Sequence, residues 1–220
     1  MIVRILSALA LSVLPVVAEQ IEVRTLSLIP GEIPECFVEG KEGLEPLAFS
    51  TIQPTPPVEL KVEGHLPIYR ADAPEPGKPG PPLAAKVKLP GSKEVLLLVM
   101  NVGRELRFVA LEDNIGAAGP ADWMLINATT RPIAFRVGGA GDPVRINPGT
   151  SKLERIRAKE DQGAAVEAHA LFDDGPKKIY STYWAIRAGK RSIVLFVESG
   201  EKIKVKQITE AIGGARRAQE

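Results

Sequence analysis

From Ile21 onward, apolar and polar residues alternate. Ile21 and Val23 alternate with Glu22 and Arg24, and Val87 and Leu89 with Lys86 and Lys88. Ile133, Phe135 and Val137 share one side of a segment that carries Arg136 on the other, and Ile203 and Val205 alternate with Lys202, Lys204 and Lys206. A period of two puts one set of side chains in a core and the other in water, which is the signature of half-buried strands. Two runs, Val95–Met100 and Ile193–Val197, are apolar throughout. They fit central strands covered on both faces. Turn pairs such as Pro30-Gly31, Gly138-Gly139, Pro148-Gly149 and Ser199-Gly200 separate the runs. The nearest approach to a helical stripe, Lys159–His169, contains Gly163 and continues as a strand from Val166 to Phe172. The pattern predicts an all-β chain of roughly 13 to 15 short strands.

The two halves resemble each other. Pro34 falls on Pro120, Pro46–Phe49 on Pro132–Phe135, Phe37 on Trp123 and Val58 on Val144, all at an offset of 86. A second block, Gly91–Val99, falls on Gly189–Val197 at an offset of 98. Both copies of that block run through a glycine turn into an alternating strand, Leu106–Leu111 and Ile203–Ile208. The difference between the offsets implies about a dozen extra residues in the second copy, near Lys159–Lys178. A unit of ~85–100 residues with about seven strands has the size of an immunoglobulin-like β-sandwich. The expected architecture is two tandem immunoglobulin-like sandwiches, over residues 19–105 and 106–210, with Leu106–Leu111 closing the first and opening the second. Residues 211–220 read as a disordered tail. Ala71–Pro82 is proline-dense and reads as a stiff exposed loop between strands.

Ahead of the strands, Arg4 precedes an apolar run from Ile5 to Ala18. That run is shorter than the ~20 residues a membrane-spanning helix needs. It ends in Val16-Val17-Ala18, so residues 1–18 read as a signal peptide cleaved after Ala18, with a secreted or periplasmic destination. No transmembrane span is expected. Cys36 is the one cysteine, so no internal disulfide forms and the core alone must hold the fold.

Charge narrows the partners. Without residues 1–18 the chain loses Arg4 and carries 27 Lys and Arg against 27 Asp and Glu. A neutral chain argues against nucleic-acid binding. Residues 19–105 hold 9 positive and 13 negative side chains, and residues 106–220 hold 18 and 14. This asymmetry permits self-association.

Candidate chemistry is sparse. The histidines are His65 and His169. His65 reads as exposed beside a turn, and His169 as a surface partner of Glu167. No G-x-S-x-G or H-E-x-x-H is present. Cys36 reads as a buried thiol. Acidic residues at Asp113, Asp142 and Asp173-Asp174 lack calcium-loop spacing. No catalytic residue, cofactor or metal site is expected. Asn127-Ala-Thr129 matches a glycosylation acceptor. In Tyr180–Trp184, alternation puts Tyr180, Thr182 and Trp184 on the core side and Tyr183 outside. Arg187, Lys190 and Arg191 follow at a turn. Tyr183, Arg187, Lys190 and Arg191 therefore form the candidate partner-contact corner, for another envelope or extracellular protein or a glycan.

The expected function is a non-catalytic binding or structural module. Two alternatives stand beside it. The size and two-sandwich layout are similar to those of periplasmic pilus chaperones, which implies a strand-donating role; Leu106, Phe108 and Ala110 would then line the exposed edge strand. A carbohydrate-active hydrolase would need paired carboxylates in a cleft between the lobes.

Overall fold

The computed structural model describes residues 19–71, 81–102, 105–115, 118–119, 121–138, 142–155, 163–187 and 189–212. Residues 1–18, the expected signal peptide, most of the proline-dense stretch (72–80) and residues 213–220 of the expected tail lie outside the described residues.

Among the described residues sixteen strands form, one more than the upper expectation, and no α-helix accompanies them. They are β1 (Glu19–Ser27), β2 (Cys36–Gly40), β3 (Gly43–Leu47), β4 (Val58–Val62), β5 (His65–Arg70), β6 (Leu83–Lys88), β7 (Glu94–Val102) and β8 (Glu105–Glu112). There follow β9 (Asp122–Ala128), β10 (Ile133–Val137), β11 (Val144–Ile146), β12 (Ser151–Arg155), β13 (Gly163–Phe172), β14 (Gly175–Ala185), β15 (Lys190–Ser199) and β16 (Lys202–Ala211). They build four four-stranded sheets, ordered β4-β1-β7-β8, β3-β2-β5-β6, β12-β9-β15-β16 and β11-β10-β13-β14. Adding eight to each strand number of the first pair of sheets yields the second pair. The one parallel pairing of each sandwich, β1 with β7 and β9 with β15, repeats as well. The chain is therefore two tandem β-sandwiches of one topology.

Two sequence expectations need correction. Leu106–Leu111 lies in β8, paired along its length with β7, so it completes the first sandwich and takes no part in the second. The second sandwich opens at β9, and the crossing between them falls between Glu112 and Asp122. The offset of 86 also fails, because it lays β2 on β9 and β4 on β11, which are not equivalent strands. Alternating patterns align with one another whichever strands they come from. The offset of 98 pairs the equivalent strands, β7 and β8 with β15 and β16, but is one residue out of phase, because it lays Val95 and Leu97 of the first core on Ile193 and Leu195 of the layer between the sandwiches.

Each sandwich has its own core. In the first, Ile21, Val23, Val95 and Leu97 meet Cys36, Val38, Leu66 and Ile68 of the facing sheet. In the second, the core is aromatic. Trp123 meets Trp184 edge-on at 5.1 Å, and Phe135 stands 5.8 Å from both Trp184 and Phe196. Such tilted contacts add stabilisation beyond the area buried.

A third apolar layer joins the sandwiches. Leu26, Leu96, Leu98 and Leu111 project from the outer face of the β4-β1-β7-β8 sheet. They pack on Met124, Ile126, Ile193 and Ile208 from the outer face of the β12-β9-β15-β16 sheet. This explains the unbroken apolar runs: alternate residues of β7 and β15 serve the intradomain core and the interdomain layer. The layer leaves a void of about 20 Å³ between β8 and β9, enough for about one water.

A ring of four charges closes the layer. Arg24 donates to Asp113 Oδ2 at 3.1 Å and to Glu210 Oε2 at 2.5 Å. Arg191 donates to Asp113 Oδ1 at 2.6 Å and, through Nε, to Glu210 Oε1 at 2.8 Å. It also donates to the Asp113 carbonyl. Each carboxylate oxygen thus accepts from one arginine, and the signs alternate around the ring. Arg24 Nε donates in turn to the Thr55 carbonyl at 3.2 Å. Every member lies two residues from a layer residue: Arg24 from Leu26, Asp113 from Leu111, Arg191 from Ile193 and Glu210 from Ile208. Period two therefore aims all four at the same interface.

Burial alone would disfavour the Glu210 carboxylate, but the hydrogen bond from Arg24 and the charges of both arginines outweigh it and hold its pKa below the ordinary value. For Arg24, burial opposes the charge, and Glu210 with Asp113 more than compensates, so its pKa rises. A carboxylate with a depressed folded pKa stabilises the fold fully above its ordinary value of 4.5, and that contribution disappears as pH falls through the folded value. The urea midpoint should therefore fall below pH 4.5, with amides of β7 and β15 losing exchange protection in step. Arg191→Met leaves two buried carboxylates facing one arginine. It should cost about 3–5 kcal/mol in denaturant unfolding, the range for breaking a buried pair from one side.

Candidate functional site

Of the candidate corner, Tyr183 lies on β14 of the β11-β10-β13-β14 sheet and Arg187 in the turn after it, while Lys190 and Arg191 open β15 of the other sheet. Tyr180 and Trp184 point to the core, where Trp184 Nε1 donates to the Tyr180 hydroxyl at 3.1 Å. Tyr183 points outward and is 66% exposed. Its neighbour across the strands is Ala165, and its ring lies diagonally over Gly163. A Cβ on Gly163 would fall 2.0 Å from Tyr183 Cε1, so only glycine lets the ring lie flat on β13. One face of the tyrosine is supported by backbone and the other faces water.

Arg187 and Lys190 are exposed at the turn from β14 to β15, which the Lys190 amide closes by donating to the Arg187 carbonyl at 3.3 Å. Among the described residues neither has an ion-pair partner. Arg191 differs: it is 0% exposed and belongs to the interdomain ring. It drops out of the contact set, because strand β15 turns it inward onto the face that Ile193 shares. The structure thus leaves Tyr183, near the end of β14, and Arg187 and Lys190, at the turn beyond it, exposed, and assigns Arg191 to the scaffold.

Elsewhere, His169 Nε2 meets Glu167 Oε1 at 3.1 Å, with Lys178 Nζ 3.4 Å from the same oxygen, a surface cluster of three. His65 is exposed. Cys36 is buried and its thiol donates to the Pro34 carbonyl at 3.3 Å. Among the described residues no group of three or more His, Cys, Asp or Glu is placed to hold a metal ion. Asp113, one of the acidic loop residues, is committed to the ring. A broad apolar groove at the end of the first sandwich is lined by Ile33, Pro34, Leu47, Phe49 and Ile52. Its Ser50 hydroxyl is turned back to accept from the Ile52 and Gln53 amides, and the Thr51 carbonyl accepts from Lys206.

The Asn127-Ala-Thr129 pattern lies inside the second sandwich. Asn127 is fully buried. Its Nδ2 donates to the carbonyls of Arg131 at 2.8 Å and Ile146 at 3.0 Å, while its Oδ1 accepts from the Thr129 amide and hydroxyl. The side chain stitches the β9–β10 turn to β11 and offers no nitrogen to a glycan in the folded chain.

No protein-family model matches the chain, and no curated protein is significantly similar to it in sequence. Among the described residues no helix is long and apolar enough to cross a membrane.

Two outcomes follow from this geometry. Asn127→Asp replaces two donors by acceptors facing two carbonyls, and should cost about 1–3 kcal/mol in denaturant unfolding. Tyr183→Ser should cost less than about 1 kcal/mol, the scale of one cross-strand pair. It should also abolish the ring-current displacement of the Gly163 α-proton resonances, which nuclear magnetic resonance reads directly.

Proposed function

We propose that this chain is an exported, non-catalytic binding or structural module, working outside the cytoplasm in the cell envelope or beyond it. The observation that carries this reading is the packed and charge-closed layer between the sandwiches. It consumes one sheet of each and leaves the β3-β2-β5-β6 and β11-β10-β13-β14 sheets facing away from each other. A body so built presents two separate surfaces at a fixed spacing, which suits a scaffold or adaptor.

The same layer weighs against the hydrolase alternative. Asp113 and Glu210, the carboxylates of the ring at the junction, are both buried against arginines. A glycosidic general acid needs a raised pKa and access to substrate, whereas that of Glu210 is lowered. Export is supported by the charged start, apolar run and small-residue end of residues 1–18.

The test is to express the full chain from its own leader and recover it. The expected product is exported, begins at Glu19 on N-terminal sequencing and, immobilised, retains a discrete envelope protein or glycan. A chain that stays cytoplasmic with residues 1–18 attached overturns the export reading, and turnover of a glycoside substrate overturns the non-catalytic one.

A further inference from the structure

Among the described residues each sandwich has four edge strands, and these expose backbone N–H and C=O groups that must be protected from stray pairing. Seven of the eight edges carry charge or proline at close intervals. β3 holds Glu45 and Pro46, β4 Glu59 and Lys61, β6 Lys86 and Lys88, and β11 Arg145. β12 holds Lys152, Glu154 and Arg155. β16 alternates Lys202, Lys204 and Lys206, and β8 has no uncharged run longer than Phe108–Leu111.

β14 is the exception. From Ile179 to Ala185 it carries no charge, proline or glycine, and its residues are aromatic, β-branched or small. Ile179 is bulged out of register, so the regular edge is Tyr180–Ala185, paired to β13 on one side and unpaired on the other among the described residues. Six uncharged, β-prone residues on an edge form a ready template for another strand. The candidate β8 segment is a poorer one: it too is an edge, but Arg107 and Glu112 bracket an uncharged run of only four residues.

The charges at the ends of β14 decide the occupant. Lys177 and Lys178 stand at its start, and Arg187 and Lys190 just beyond its end. Lys177 is 2.7 Å from Asp174, and Lys178 3.4 Å from Glu167, so that end is internally compensated. The Arg187 and Lys190 end is not, among the described residues. A second copy added antiparallel would set the compensated lysine end of one strand against the Arg187 end of the other, and so would offer Arg187 and Lys190 no surplus of negative charge.

We infer that β14 is an acceptor edge for an extended segment of a partner polypeptide, added antiparallel, whose carboxylates precede about six uncharged, β-branched residues. This assignment rests on the binding-module reading and names its site and partner class. Backbone hydrogen bonds along Tyr180–Ala185 supply affinity, and Arg187 and Lys190 select the acidic end. Tyr183, held flat by Gly163, provides the aromatic half of a cross-strand pair for the incoming side chain.

The test uses the whole chain and two fluorescein-labelled peptides. One has paired aspartates followed by alternating threonine and valine, and the other has lysines in place of the aspartates. The aspartate peptide should bind about tenfold more tightly, with new exchange protection confined to amides of β14. Arg187→Glu with Lys190→Glu should invert the preference. Ser181→Lys, an outward charge on the edge, should weaken both peptides about tenfold without lowering thermal stability. Equal affinity for both peptides, no binding, or protection that maps to another strand overturns the edge assignment. The export and envelope-retention results stand apart from these: a Ser181→Lys chain that still retains its envelope ligand overturns the β14 site and leaves the module reading intact.

Discussion

The ring of Arg24, Asp113, Arg191 and Glu210 holds the molecule to one arrangement. Four buried charges are unfavourable in isolation, and pairing alone need not repay their dehydration. Here each carboxylate oxygen has its own arginine donor, and the signs cancel. Sliding one sandwich against the other would strip these partners before the apolar layer had lost much contact. The layer is non-directional and supplies adhesion; the ring is directional and supplies the register.

The ring breaks the likeness of the two halves. β8 sets Asp113 beside Glu94, where the Asp113 amide donates to the Glu94 carbonyl. β16 sets Glu210 opposite Arg191. An offset of 97 carries Glu94 and Asp113 onto Arg191 and Glu210. The acidic position is thus retained while its neighbour changes sign. Two identical halves would have brought acids together at the junction, so pairing a Glu-bearing half with an Arg-bearing one is what allows the charges to alternate.

Much of the fold was legible in the chain. The alternating segments located strands, and the continuous runs at Val95–Met100 and Ile193–Val197 signalled coverage on both sides. What covered them was hidden, because local pattern does not say which distant surface lies against a strand. Arg191 was misplaced for a related reason. Beside Gly189 and Lys190 it looks like a solvated turn residue, yet the period-two face of Ile193 extends to it. The same extension from Leu26, Leu111 and Ile208 reaches the other ring members, so the signal was present but spread over four strands. The burial of Asn127 was not legible, because a three-residue pattern carries no information about it. Tyr183 was placed correctly outside, but its support by Gly163 depends on pairing between β13 and β14, which alternation does not specify.

The double duty of β7 and β15 has an outcome for how the molecule comes apart. Melting either sandwich would bare Leu96 and Leu98, or Ile193 and Leu195, on the survivor, and would also strip the arginine and the carboxylate left there of their partners across the junction. Neither half can therefore be removed without undermining the other. A chain with the anatomy of two domains should lose its structure in a single concerted transition, and cutting it between Glu112 and Asp122 should yield halves that cling together or precipitate rather than two independent folds.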